Sequence, residues 1–104
     1  MSYIYVVQMN IPAEHEADFN RIYDTEHVPM LSKVPGVNKV TRYRLEKTND
    51  PKMQKYLAIY EIESDDLDAV MQEIITRTGD GRIKMTDAIQ LDPVPVTLLY
   101  VERD

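Results

Sequence analysis

The densest group of chemically able side chains is the run Tyr23-Asp24-Thr25-Glu26-His27, which stands immediately before Val28-Pro29. An imidazole titrates near neutrality, so His27 can take up or deliver a proton while a neighbouring carboxylate holds its tautomer. On a helix Asp24 and His27 are i,i+3 neighbours, and Tyr23 and His27 are i,i+4 neighbours, so both pairs can meet. His27 is therefore the candidate acid or base, with Asp24 or Glu26 to orient it. The competing reading is a histidine at a helix end that caps carbonyls or faces water. Glu26 falls on the angular sector of Phe19 and Ile22. It is either partly buried, with a catalytic or hydrogen-bonding role, or turned outward by a kink, and the outward placement is preferred. His15 lies near the start of the same helix, shares no face with His27, and is expected at the surface.

Other groups are weaker candidates. Arg42 and Arg44 share one face of a strand and present planar forks suited to an anionic substrate group, although a solvated strand edge explains them as well. Asp24 and His27 would supply two metal ligands where a catalytic site usually needs three, so no metal is expected. The chain has only three glycines and carries no phosphate-cradling loop, nucleophile elbow or dinucleotide fingerprint. No cofactor is expected. Seven tyrosines are an excess, because each is large, half apolar and in need of a hydroxyl partner.

Composition bounds what these residues can serve. The chain has 104 residues, 12 basic against 18 acidic, for a net charge of −6. That length suits a single domain over 1–104. The acidic balance argues against nucleic acid, which needs a basic footprint. Without cysteine there is no disulfide framework, thiolate metal site or thiol nucleophile. The apolar start, Tyr3 to Met9, is short and cut by Asn10 and Pro12, so neither a leader nor a membrane span is expected, and the default location is cytoplasmic.

The elements that must position these residues follow from pattern. Tyr3 to Met9 is β-branched and aromatic and reads as a strand, apolar on both faces. Pro12 suits a first helical turn, and Phe19, Ile22, Tyr23 and Met30 mark one apolar helix face. Pro29 cannot donate to the carbonyl of Thr25, which predicts a break or kink over residues 25–29. After the Val34-Pro35-Gly36 turn, Val37 to Glu46 reads as an edge strand with Val37, Lys39, Thr41, Tyr43 and Leu45 on one face. A hairpin loop over 47–54 leads to a strand from Tyr56 to Ile62. Asp65, Asp66 and Asp68 open a second helix, Leu67, Val70, Met71 and Ile74 form its stripe, and Gly79 closes it. A long connection from 79 to 93, with a helical turn at Lys84–Ile89, precedes a last strand from Val94 to Glu102.

The order β-α-β-β-α-β predicts an α+β, ferredoxin-like sandwich: a four-stranded antiparallel sheet with both helices on one face. The aliphatic set (Ile4, Val6, Leu57, Ile59, Leu99, Val101) is expected beneath the helices. The tyrosine set (Tyr3, Tyr5, Tyr43, Tyr56, Tyr60, Tyr100) is then left on the open face. An uncovered apolar face predicts a homodimer packed sheet to sheet.

The run from Phe19 through Glu26-His27-Val28-Pro29 to Leu31, then Val34-Pro35-Gly36-Val37 and Thr41-Arg42-Tyr43, resembles the dimeric α/β-barrel superfamily and within it the EthD-like proteins. The resemblance is specific over residues 19–43. It implies a ferredoxin-like fold, dimerisation through the sheets, and a pocket between sheet and helices or at the barrel mouth. It also places His27 where the family has its pocket histidine. Many EthD-like sequences carry a tryptophan near that motif where this chain has Tyr23. The lack of tryptophan and cysteine disfavours a haem-degrading reading.

The functional expectation is cofactor-independent acid–base chemistry of isomerase, cyclase, lyase or monooxygenase type on a small, largely apolar substrate. His27 would move the proton with Asp24 or Glu26 beside it, and Tyr5, Tyr23, Tyr43, Tyr60 and Arg42 would bind substrate. The alternatives are a non-catalytic ligand-binding accessory of an oxygenase or degradation pathway, or a dimer in which His27 is purely structural.

Overall fold

The structure is a computed structural model that describes residues 1–79 and 95–103. Strand β1 (Ser2–Met9) is followed by a 3-10 turn (Ala13–His15), helix α1 (Glu16–Ile22), a π-helical turn (Tyr23–His27) and helix α2 (Val28–Leu31). Then come β2 (Val37–Arg44), β3 (Tyr56–Glu63), α3 (Leu67–Gly79) and β4 (Val96–Val101). The strands form one antiparallel sheet in the order β2-β3-β1-β4, the ferredoxin-like arrangement. The expected order therefore holds. The connection expected over 79–93, with its turn at 84–89, falls beyond residue 79 outside the described residues.

Local chemistry accounts for the element ends. Asp66 caps α3 by accepting the backbone N–H of Ala69 at 3.1 Å, with Asp68 in the first turn at the positive end of the helix dipole. Gly36 takes φ +96°, which suits glycine, and a Cβ there would stand 2.7 Å from a Val70 methyl. The chain thus turns from α2 into β2 directly beneath α3.

The expected break at Pro29 is replaced by a wider turn. The N–H of Val28 reaches the carbonyl of Tyr23, five residues back, so the helix absorbs the proline by adding a residue to one turn. Thr25 reinforces the turn by donating its hydroxyl to the Arg21 carbonyl at 2.6 Å. Because the axis carries on, Glu26 is partly buried rather than swung outward.

The faces of β1 and β3 are populated the other way round from expectation, while Tyr43, Tyr100, Leu99 and Val101 lie on the faces expected of them. Tyr5 pairs with Tyr60 and Met9 with Tyr56 on the helix-covered face, where Tyr56, Ala58, Tyr60 and Ile62 are buried. Ile4, Val6, Leu57 and Ile59 lie on the opposite face with Tyr43 and Tyr100, which are half exposed. The reason is hydroxyl satisfaction. The helix layer carries Glu16, Asn20 and Tyr23, whose polar atoms meet the phenols of Tyr56 and Tyr60. Leu99 and Val101 do share the helix side, but both are about half exposed.

A register shift between Val37 and Lys39 corrects the reading of β2 as well. Val37 pairs with Ile62 and Val40 with Tyr60, so both valines enter the core, and Arg42 and Arg44 follow on the same face. Among the described residues the core has two parts: one around Leu31, Val34, Ile62 and Val70, the other around Phe19, Tyr23 and Tyr56. The site lies where they meet.

Candidate functional site

Helix α1 and the π-helical turn carry two rows at four-residue spacing. Phe19, Tyr23 and His27 point to the sheet, while Glu16, Asn20 and Asp24 point toward its β2 edge. The rings of Phe19 and Tyr23 stand 5.4 Å apart, and His27 stacks on Tyr23 at 4.5 Å with only 14° between planes. His27 is 6% exposed. The solvent-facing alternative for this histidine is thereby removed. His15 is exposed, as expected.

From Tyr23 the row continues across the sheet. Its hydroxyl shares a 3.1 Å hydrogen bond with that of Tyr60, and the Tyr60 ring meets Tyr5 edge to face at 5.4 Å. Burial pushes the Tyr60 phenol well above its ordinary value of 10.0. It also raises Tyr23, where the Tyr60 hydroxyl and then the Arg42 cation act in the opposite sense. Tyr5 is raised by burial too. All three are therefore neutral at physiological pH and act as hydrogen-bond donors rather than bases.

Arg42 is no solvated edge charge. Its side chain is 12% exposed, and its guanidinium lies 4.5 Å from the Tyr23 ring centre, 5.4 Å from Tyr56 and 5.6 Å from Phe19. Nη1 donates to Asp24 Oδ1 at 2.9 Å and Nη2 to Asn20 Oδ1 at 2.8 Å. Beyond Asn20 the contacts run on: its amide donates to Tyr56 Oη, Tyr56 donates to Glu16, and Glu16 pairs with Lys55 at 2.8 Å. A continuous polar seam thus joins the helix to β2 and β3.

The structure brings Tyr5, Tyr23, Tyr60, His27 and Arg42 into one neighbourhood. Asp24, 61% exposed, is engaged with Arg42. Tyr43 faces away, on the open side of the sheet. Asn20, Tyr56 and Glu16 were not anticipated, although the spacing 16-20-24 was a readable signal for a second polar row. Among the described residues, no three His, Cys, Asp or Glu side chains gather where they could hold one metal ion. No helix among them is long and apolar enough to cross a membrane.

Comparison with known proteins adds a family. A family sequence profile described as a domain of unknown function, DUF4286, matches residues 2–81, most of the chain. The chain belongs to the DUF4286 family. No curated protein matches it. An EthD-family protein from Bacillus halodurans superposes on this DUF4286 chain with a TM-score of 0.67 at 17% identity, covering 99% of this chain and 100% of its own. The heme degrader MhuD from Mycobacterium tuberculosis, described with two hemes in its active site, gives 0.68 at 15% identity, covering 98% and 97%. A dimeric ferredoxin-like protein of unknown function from Jannaschia gives 0.74 at 8% identity, covering 98% and 100%. The expected likeness to EthD proteins is met, and at these identities it is a likeness of fold.

Two outcomes test the electrostatics of this DUF4286 site. Replacing Arg42 with alanine removes the cation from three rings and frees two acceptors, so stability in urea should fall by about 2–3 kcal/mol. A loss below about 0.5 kcal/mol would return Arg42 to the surface-charge class. Buried phenols whose folded values exceed 10.0 stabilise fully below that pH, and the benefit is lost as pH rises above it. The melting temperature should therefore drop above pH 10, and Tyr60→Phe should flatten that drop. An unchanged alkaline profile in Tyr60→Phe would remove Tyr60 as its cause.

Proposed function

We propose that this protein carries out cofactor-independent proton transfer on a small, largely apolar molecule bearing a carbonyl or enol oxygen. His27 is the acid or base. Tyr60, Tyr23 and Tyr5 supply neutral donors to the oxygen on which charge develops. The observation that carries this reading is the burial of His27 face to face with Tyr23, whose hydroxyl is joined to Tyr60. An imidazole in that setting is shielded from water and adjoins phenols held in their protonated form. Asp24 contributes through Arg42, which it holds against the Tyr23 ring. Glu26 adjoins His27 in the same turn and is partly buried. The π-helical turn itself supports the reading, since such turns concentrate at functional sites.

The proposal includes a cytoplasmic homodimer. On the open sheet face Ile4 is 37% exposed and Tyr100 52% exposed, and fold neighbours from Jannaschia and Thermobifida fusca are described as dimeric. Two copies packed through these faces would cover a patch too apolar to leave in water.

Proton transfer is tested by following hydrogen–deuterium exchange at the α-carbon of 2-tetralone and related cyclic ketones by NMR. His27→Ala should slow catalysed exchange about a hundredfold, and Tyr60→Phe by about tenfold. Unchanged exchange in His27→Ala would discard His27 as the proton carrier. Wild-type affinity for any co-purified ligand, joined to a large fall in melting temperature, would make the residue structural. For the dimer, sedimentation at micromolar concentration should give twice the 12.1 kDa chain mass. A clean monomer overturns the sheet-to-sheet reading.

A further inference from the structure

The polar seam borders a concavity on the outer side of Arg42 and Asp24, a pair that the proton-transfer reading uses only to hold the Tyr23 ring. It lies outside the sandwich, between α1 and the edge strand β2, has a volume of about 470 Å³, and is lined by Asn20, Asp24, Arg42, Tyr43, Arg44 and Tyr56. We propose that this concavity is a binding site for a small planar carboxylate.

Three features point to that ligand class. First, Arg42 is already oriented. Asn20 holds Nη2, and the rings of Phe19, Tyr23 and Tyr56 pack about the guanidinium, so its orientation does not depend on which acceptor occupies Nη1. Second, the fork already receives a carboxylate. Asp24 occupies Nη1 at 2.9 Å from an exposed position, which shows the fit and leaves the occupant able to swing into water. Third, Arg44 follows Arg42 on the same strand face and is 67% exposed, with Glu46 at 3.9 Å and the Glu16 carboxylate also within its field. The lining residues alone carry Arg42 and Arg44 against Asp24, and Glu46 beside Arg44 balances the remaining charge, so an anion enters by displacing Asp24. The Glu16–Lys55 pair at the far end of the seam is neutral as a unit. Tyr43, half exposed at the rim, adds an aromatic surface, which favours a flat organic anion over a compact tetrahedral one.

The site is one ring removed from His27, which stacks on the Tyr23 ring that also holds Arg42, so the test reads the place of binding directly. The probe is sodium benzoate, titrated into the isotope-labelled protein and followed through backbone amide shifts. Saturable shifts at Asn20, Arg42 and Arg44 are expected, with Kd in the millimolar range because Asp24 competes. Asp24→Asn removes the competing charge and should tighten benzoate binding about fivefold, whereas Arg44→Gln should weaken it about threefold. Both positions are exposed, and the same spectra report whether each variant is folded. The proposal is overturned if these amides show no saturable shift up to about 20 mM benzoate, weaker than any useful site. It is overturned equally if Asp24→Asn fails to tighten binding, or if inorganic phosphate binds as well as benzoate. Saturable shifts centred on the amides of Tyr5, His27 and Tyr60 instead would place the ligand in the inner row and also defeat it.

Discussion

A single guanidinium holds the helix layer to the edge of the sheet. Arg42 reaches from β2 into the space between Phe19, Tyr23 and Tyr56 and takes its two acceptors, Asn20 and Asp24, from successive turns of the helix. A lysine could supply the charge there, but not two divergent donors in one plane together with a flat face for the rings. Because the acceptors sit one helical turn apart, the fork fixes both the rotation of the helix and its height along the strand. Tyr23, and through it His27, inherit their placement from that contact.

The π-helical turn performs the complementary task at the other end. Proline at 29 removes one backbone donor, and a regular helix would kink there. Widening the preceding turn keeps α1 and α2 on one course and leaves Tyr23 and His27, four residues apart in the chain, with nearly parallel rings. A kink would have directed the imidazole toward the sheet edge and broken the row between histidine and phenols. The local cost of poorer backbone geometry is offset by Thr25, whose hydroxyl takes up the Arg21 carbonyl.

Element order, strand positions, the meeting of Tyr23 with His27, and the surface placement of His15 were legible because each depends on spacing along the chain. Three other features were not. The face each tyrosine occupies depends on which layer offers a hydroxyl partner, and alternation in β1 and β3 is apolar on both sides, so pattern alone could not choose. The bulge near Asn38 shifts one residue and moves Val37 to the core side, and nothing in Val-Asn-Lys-Val announces it. The depth of Arg42 depends on three rings and two acceptors from distant segments. An arginine on a polar strand edge looks the same in sequence whether it is solvated or enclosed.

The hydrogen bond between Tyr23 and Tyr60 has no preferred direction, since either oxygen can donate. Two phenols so joined hold two protons and use one of them on each other, leaving the second to be given elsewhere. Reversing the bond needs only rotation of two hydroxyls and moves no heavy atom. In one sense the spare proton is offered from the helix side, beside His27; in the other it is offered from the sheet side, beside Tyr5. The bond can thus be made in either sense while the packing around it stays still.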